Sequence, residues 1–442
     1  MVNWAYQRLA FNASACAELG PNAWCWSAAP AHVHSPWRRG HLFPGRHRAP
    51  DDPRDLLRRG AAAEKPPYPG PPTYEALRKW EDDLPQHNLD LPFPEGRTGR
   101  YVKFSNQAKG LGWNNCLNEE LMNTHLAYMS KRAYVFQEYI WAAQHYQWPP
   151  SNIPKAGDDA PRSVSERWFD IVCPPEERRI INSTDVKPAV RTPRATSSCA
   201  LAEAAHRRPE RCIEVVPPPY EVDSMPQVFD LWVWGSARIL PLWPAFSKSP
   251  TSRLLGPSPI AAAAVDRNAY LFLPRGPRPP HPAPRDPFAR MVAMHIRRGD
   301  YIPHCANLAA WGSTYYSWAQ LPFLLDSFTP APGDDPARVD KALAHCLPTL
   351  AQIVQKVRDS RAEFVKAGER RMLDVLYFLT NEQGEWLDEL KAALRADGCM
   401  AVDMELARRA AVFIGNGWSS LTSNIIHQRL VDNREHISIR LT

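Results

Sequence analysis

The stretch "MLDVLYFLTNE", Met372 to Glu382, constrains the fold more than any other. Its apolar residues run on without alternation and end in polar ones. A strand with one face in water alternates. A run like this is buried on both faces, as parallel strands covered by helices are. "ARMVAMHIRRGDY" (Ala289–Tyr301) and "AVFIG" (Ala411–Gly415) have the same form. Helical patterns separate them: an Ala342–Val357 stretch interrupted near Pro348, "EWLDELKAALRADG" closed by Gly398, and "VDMELARRA" before "AVFIG". Strands alternating with helices predict an α/β fold with parallel sheets.

The same grammar opens near Arg100. "RYVKFSN" reads as a strand, "QAKGLGWNN" as a Gly-bearing turn, "CLNEELMNTHLAYMSKR" as a helix and "AYVFQEYIW" as a second strand. "DSMPQVFDLWVWGSARILPLWPAF" is dense in aromatic residues and is expected to pack between two such units.

Proline marks where order is not expected. The chain holds 45 prolines against 21 glycines, clustered in runs such as "EKPPYPGPPTYE" and "LPRGPRPPHPAPRDP" that suit neither helix nor sheet. The division is therefore an irregular stem over 1–95, a first α/β domain over 96–273, a Pro-rich loop over 274–287 and a second α/β domain over 288–442. The net charge of +6 is mild, and no long basic tract favours nucleic acid. None of the nine cysteines form a CxxC pair, so local zinc spacing is absent and one or two disulfides are allowed. No run approaches the ~20 apolar residues that span a bilayer. The sequons at Asn12 and Asn182 are short motifs that chance supplies.

In open α/β sheets, ligands bind beyond the carboxyl ends of the strands. Three polar clusters fall there: Asn114-Asn115, His295-x-Arg297-Arg298, and Ser419-Ser420 with Thr422. Arginine offers a planar fork of donors suited to phosphate. The arginines read either as a solvated turn or as an anion site. Ser419 and Ser420 read either as a plain helix cap or as part of an anion-binding helix N-terminus. In this reading Gly415 and Gly417 permit tight turning, and Asn114 or Asn115 caps a helix. Metal ligands do not cluster, and no HExxH or GxSxG motif is present.

Taken in order along the chain, "GLGWNN", "MHIRRGDY" and "VDMELARRAAVFIGNGWSSLTSN" resemble the GDP-fucose protein O-fucosyltransferase superfamily, in particular its fungal members. The resemblance covers about residues 98–442. It implies a GT-B-like architecture of two facing Rossmann-like domains. It also implies inverting, metal-independent transfer of fucose from GDP-fucose to a hydroxyl of a protein or glycan acceptor, in the secretory pathway. No cofactor is expected. By the same resemblance Arg297 holds the β-phosphate and aids departure of GDP, and His295 contacts the donor beside it. Asp403 lies near the nucleoside, Ser419, Ser420 and Thr422 surround the phosphates, and Asn114 and Asn115 face donor and acceptor.

Two departures stand out. Some relatives carry a glutamate just before the Gly-aromatic-Asn turn as a candidate base; here that position is Leu111. Glu119 and Glu120 follow one to two helical turns later, and the sequence assigns no base. Second, "CMAVDMEL" passes directly into a helix where an α/β domain would return through a strand, which places a missing strand near 399–402. A related transferase using another donor sugar, or a non-catalytic nucleotide-sugar or glycan-binding descendant, is the competing reading.

Overall fold

The computed structural model describes residues 87–105, 112–136, 167–182, 208–217, 234–257, 286–333, 335–368, 375–382 and 400–442, with a few isolated positions between them. The expected stem over 1–95, the proline runs and most of "EWLDELKAALRADG" lie largely outside these residues.

Two parallel sheets of four strands carry the fold. The first contains β1 (Tyr101–Phe104), β2 (Ala133–Val135), β3 (Arg178–Asn182) and β4 (Cys212–Val216), in the order β2-β1-β4-β3. Helix α1 (Trp113–Met129) joins β1 to β2, and α2 (Arg167–Val172) precedes β3. The second sheet contains β5 (Met291–Ile296), β6 (Val375–Thr380), β7 (Val412–Gly415) and β8 (Ile439–Leu441), in the order β6-β5-β7-β8. Its helices are α3 (Ile302–Ala310), α4 (Arg338–Cys346), α5 (Leu350–Lys366), α6 (Met400–Arg409) and α7 (Ser420–Val431). The break expected near Pro348 separates α4 from α5. There Thr349 and Gln352 form a reciprocal capping box that starts α5. Between β6 and β7 no strand occurs among the described residues, and β6 pairs with β5 alone.

The apolar runs predict these strands for the reason given: β5 is buried at all six positions. Its side chains divide by the pleat. Val292, Met294 and Ile296 enter a cluster with Ile353, Val357 and Phe364 of α5. Met291 and Ala293 point the other way, into the largest cluster, with Ala407 of α6 and Ile425 and Ile426 of α7. That larger cluster also takes in Val102 and Phe104 of β1 and Leu117 and Leu121 of α1, so one apolar body runs through both sheets. The aromatic segment sits in the same body through Trp234, Ile239, Leu242 and Phe246.

Each sheet is tied by one buried arginine that binds main-chain carbonyls. Arg132 donates to the carbonyl oxygens of Arg208, Glu210 and Arg211. Arg429, fully buried, donates to those of Ala407, Arg408, Ala410, Ala411 and Ser438, closing the end of α6 onto β7. The planar guanidinium satisfies several helix-end acceptors at once. Of the disulfides that the cysteine count allows, two form among the described residues: Cys173–Cys212 beside the first sheet, and Cys305–Cys346 between α3 and α4.

Candidate functional site

The carboxyl ends of β5, β6 and β7 lie along one edge of the second sheet, since Ile296 registers with Thr380 and Met294 with Ile414. The pleat then decides what each polar residue after β5 can meet. His295 shares the parity of Met291 and Ala293, the face covered by α7. Its Nδ1 is 2.9 Å from Thr422 Oγ1, and it is only 4% exposed. Burial, with the Arg297 charge second, pushes its pKa down to about 3, so the ring is neutral. Nδ1 is committed to Thr422, so contact with a bound group runs through Nε2.

Arg297 keeps that parity. Its guanidinium carbon lies 5.3 Å from the centre of the Tyr301 ring, and the Tyr301 hydroxyl donates to the Trp418 carbonyl at 3.2 Å. Arg297 is thereby connected, through one aromatic side chain, to the residue that precedes Ser419 and α7. Arg298 has the opposite parity. It sits over the Trp386 ring at 4.3 Å and pairs with Glu382 at 3.4 Å. Asn381 clamps its main chain, accepting from the Arg298 N–H at 3.0 Å and donating to its carbonyl at 2.8 Å. Gly299 follows with φ of +60°, a left-handed turn with the Asn381 amide 3.1 Å from where a Cβ would stand. Of the two arginines, Arg298 serves the link between β5 and β6, while Arg297 lies over the Tyr301 ring.

The turn into α7 is built by close approach. Gly415 and Gly417 were expected to supply tight turning, but neither has a left-handed φ. A Cβ on Gly415 would lie 2.4 Å from Thr422 Cγ2, and one on Gly417 would lie 2.3 Å from the Tyr315 ring. Asn416 between them donates to the Cys346 carbonyl at 2.9 Å and accepts from the Trp418 N–H at 3.0 Å. The Cys305–Cys346 disulfide therefore braces this turn through one hydrogen bond. Ser419 is the N-cap residue of α7, yet its side chain makes no capping bond. The positive end of α7, with Ser419 buried and Ser420 partly exposed, follows directly on the turn after β7.

Asn114 and Asn115 do not cap α1. The cap is Gly112, in an extended conformation, and both asparagines lie in the first turn. Asn114 instead accepts from Asn424 of α7, whose amide nitrogen lies 3.1 Å from both its main-chain and side-chain oxygens. Two of the three clusters read from the sequence are thus joined by a residue outside the expected set. Asn424 is one helical turn after Ser420, so its position within "SSLTSN" was the available signal. Tyr301, the last residue of "RRGDY", was the other. Asp403 lies on α6, with its side chain outside the description.

No family model matches the sequence, and no curated protein does. Solved structures of POFUT1, a GDP-fucose protein O-fucosyltransferase, align with it. The apo form gives a TM-score of 0.47 at 12% identity, covering 78% of this chain and 97% of that chain. The complex with GDP gives 0.45 at 12% identity, covering 75% and 95%. A complex with GDP-fucose gives 0.39 at 13% identity, covering 75% and 94%.

Among the described residues no group of three or more His, Cys, Asp or Glu side chains is placed to hold a metal, and no helix is long and apolar enough to cross a membrane. The polar groups near this edge are the Arg297 guanidinium, the neutral His295 ring, and the hydroxyls of Ser419, Ser420 and Thr422.

Proposed function

We propose that this chain is a glycosyltransferase that moves fucose from GDP-fucose to a hydroxyl of a protein or glycan acceptor, with inversion and without a metal. One observation carries the reading: Arg297, reached through Tyr301, shares the edge of a parallel sheet with the uncapped N-terminus of α7. In fucosyl transfer the sugar passes through an oxocarbenium-like state while negative charge grows on the departing diphosphate. Fixed donors that wait where that charge develops lower the barrier. Arg297 supplies its guanidinium charge, α7 supplies its positive N-terminal end, and Ser419 and Ser420 add hydroxyls. His295, held neutral by burial, gives a hydrogen bond without a competing charge. Thr422 fixes the ring and does not itself reach outward, being fully buried. Asn114 and Asn115 close the site from α1, and Asp403 is assigned to the nucleoside. The two disulfides suit an oxidising compartment, in keeping with the secretory pathway.

The test is a thermal-shift series with GDP, GDP-fucose, GDP-mannose and UDP, paired with an assay of GDP release from GDP-fucose. Stabilisation by GDP and GDP-fucose above UDP, with GDP release, is the expected result. Equal response to all four, or to none, overturns the reading. Leu111, standing where a glutamate would be, favours a second reading as a non-catalytic nucleotide-sugar-binding protein. In that case GDP raises the melting temperature and no GDP is released.

A further inference from the structure

Of the two sequons, that of Asn12 lies outside the described residues, while Asn182 has a defined place as the last residue of β3. Spacing alone does not separate Asn182-Ser183-Thr184 from a chance match. The position does. Strand β3 stands at the end of the order β2-β1-β4-β3, and among the described residues it pairs with β4 alone. Ile181 registers with Val215 and Asn182 with Val216, so the sequon begins where the pairing stops. Glycan attachment needs an asparagine at a surface, and the end of an edge strand supplies one.

The pleat shows which surface it is. Arg178, Ile180 and Asn182 share one face of β3, and Arg179 and Ile181 share the other. Ile181 packs against the large apolar body. On the opposite face α2 covers the start of the strand. There the Arg178 guanidinium carbon lies 4.2 Å from the centre of the Phe169 ring, and its Nε donates to the Cys173 carbonyl at 2.6 Å. Two residues on, that cover has ended. Ile180 is 60% exposed, more than any other large hydrophobic residue described, and Asn182 is partly exposed. Edge strands are templates for pairing between copies, and charged side chains are a common guard. Arg178 and Arg179 put charge at the start of β3, whereas Ile180, Ile181 and Asn182 carry none.

The same sheet bears a second mark of the compartment where N-glycans are added. Cys173, which follows α2, is bonded to Cys212, the first residue of β4. Such bonds form and persist along the secretory route, where thiols are oxidised.

We propose that Asn182 carries an N-linked glycan, and that the glycan shields the uncharged end of the β3 edge. The Asn182 amide nitrogen bonds to the anomeric carbon of a lipid-linked oligosaccharide diphosphate. The bond from that carbon to the diphosphate oxygen breaks, its electron pair leaves with the lipid diphosphate, and the amide gives up one proton. An oligosaccharyltransferase of the host cell performs this step. The assignment stands apart from the fucosyl-transfer reading, since here the chain is the acceptor of a sugar.

The experiment directs the full chain into the secretory route of a eukaryotic cell behind a cleavable leader. Wild type, Asn182→Gln, Thr184→Ala, Thr184→Ser and Asn12→Gln are compared. Glycopeptide mapping, with enzymatic release in heavy-oxygen water, reads occupancy at each asparagine. Asn182 is expected to be occupied in wild type, Thr184→Ser and Asn12→Gln, and one glycan is missing from Asn182→Gln and Thr184→Ala. An unmodified Asn182 in the wild-type chain, or equal glycan mass in wild type and Asn182→Gln, overturns the site. Thr184→Ala keeps the asparagine but not the glycan, so it should aggregate several-fold faster than wild type on mild heating. Adding Ile180→Lys to it should restore the wild-type rate. Equal aggregation of wild type and Thr184→Ala overturns the shielding role.

Discussion

One amide nitrogen of Asn424 lies 3.1 Å from both the main-chain and the side-chain oxygen of Asn114, across 310 residues of sequence. It joins the helix that follows β7, one turn in, to the first turn of the helix that follows β1. Asn424→Ala removes the donor and leaves two acceptors at a part-buried junction. The expected cost is about 1–3 kcal/mol in urea denaturation, together with a smaller GDP-induced thermal shift. An unchanged midpoint and an unchanged shift would show that this contact positions nothing.

Arg297 and Arg298 are neighbours with separate duties. Arg297→Ala is expected to keep the fold and to lower GDP release from GDP-fucose by about 10²–10³-fold or more. Arg298→Ala loses the ion pair with Glu382 and the contact with Trp386. It should cost about 1 kcal/mol of stability and leave turnover within a few-fold of wild type. Near-normal turnover in purified Arg297→Ala would remove it from the chemistry.

Buried titratable groups set opposing pH limits on stability. Burial lowers His125 to about 4, and His295 and His427 to about 3. The unfolded chain binds those protons more readily, so stability falls as pH drops below about 6.5. Glu95 is raised to about 7, and Glu119 and Glu120 to about 8, again chiefly by burial. Here the folded chain holds the protons more tightly, so stability falls as pH rises from about 4.5, the ordinary glutamate value, through those values. Melting temperature against pH should show a plateau at about pH 5–6 with a decline on each side. Glu120→Gln should flatten the alkaline decline. A curve that keeps rising to pH 8.5 would contradict the assignment of these groups as buried.

Loss of the Cys305–Cys346 bridge should do more than loosen two helices. The double variant Cys305→Ala/Cys346→Ala opens a cross-link of sequence separation 41 and is expected to lose about 2–4 kcal/mol. Because the Cys346 carbonyl holds Asn416, its GDP-induced thermal shift should also shrink. The corresponding variant of Cys173 and Cys212, beside the other sheet, should lose stability with the GDP response kept. Equal GDP responses in the two variants would show that the turn does not depend on its brace.

The parts legible in the sequence are those governed by local pattern. "MLDVLYFLTNE" and "MVAMHI" announce buried strands because doubly covered strands have no polar face to show, and Pro348 announces the break between α4 and α5. What stayed hidden depends on distant partners. Nothing around Asn424 names Asn114. Gly415 and Gly417 look like turn residues, yet their small size is demanded by Thr422 and Tyr315, which arrive from other elements. Helix α1 begins at Trp113, ahead of the expected Cys116, because Gly112 takes an extended conformation and the asparagines then continue the helix.

The apolar body shared by the two sheets has a mechanical meaning. Where two lobes meet across water, a substrate can be swallowed by hinge closure. Here Leu117 and Ile425 belong to one continuous cluster, and swinging one sheet from the other would expose it. The two sheets are therefore held as one fixed wall rather than as two hinged halves.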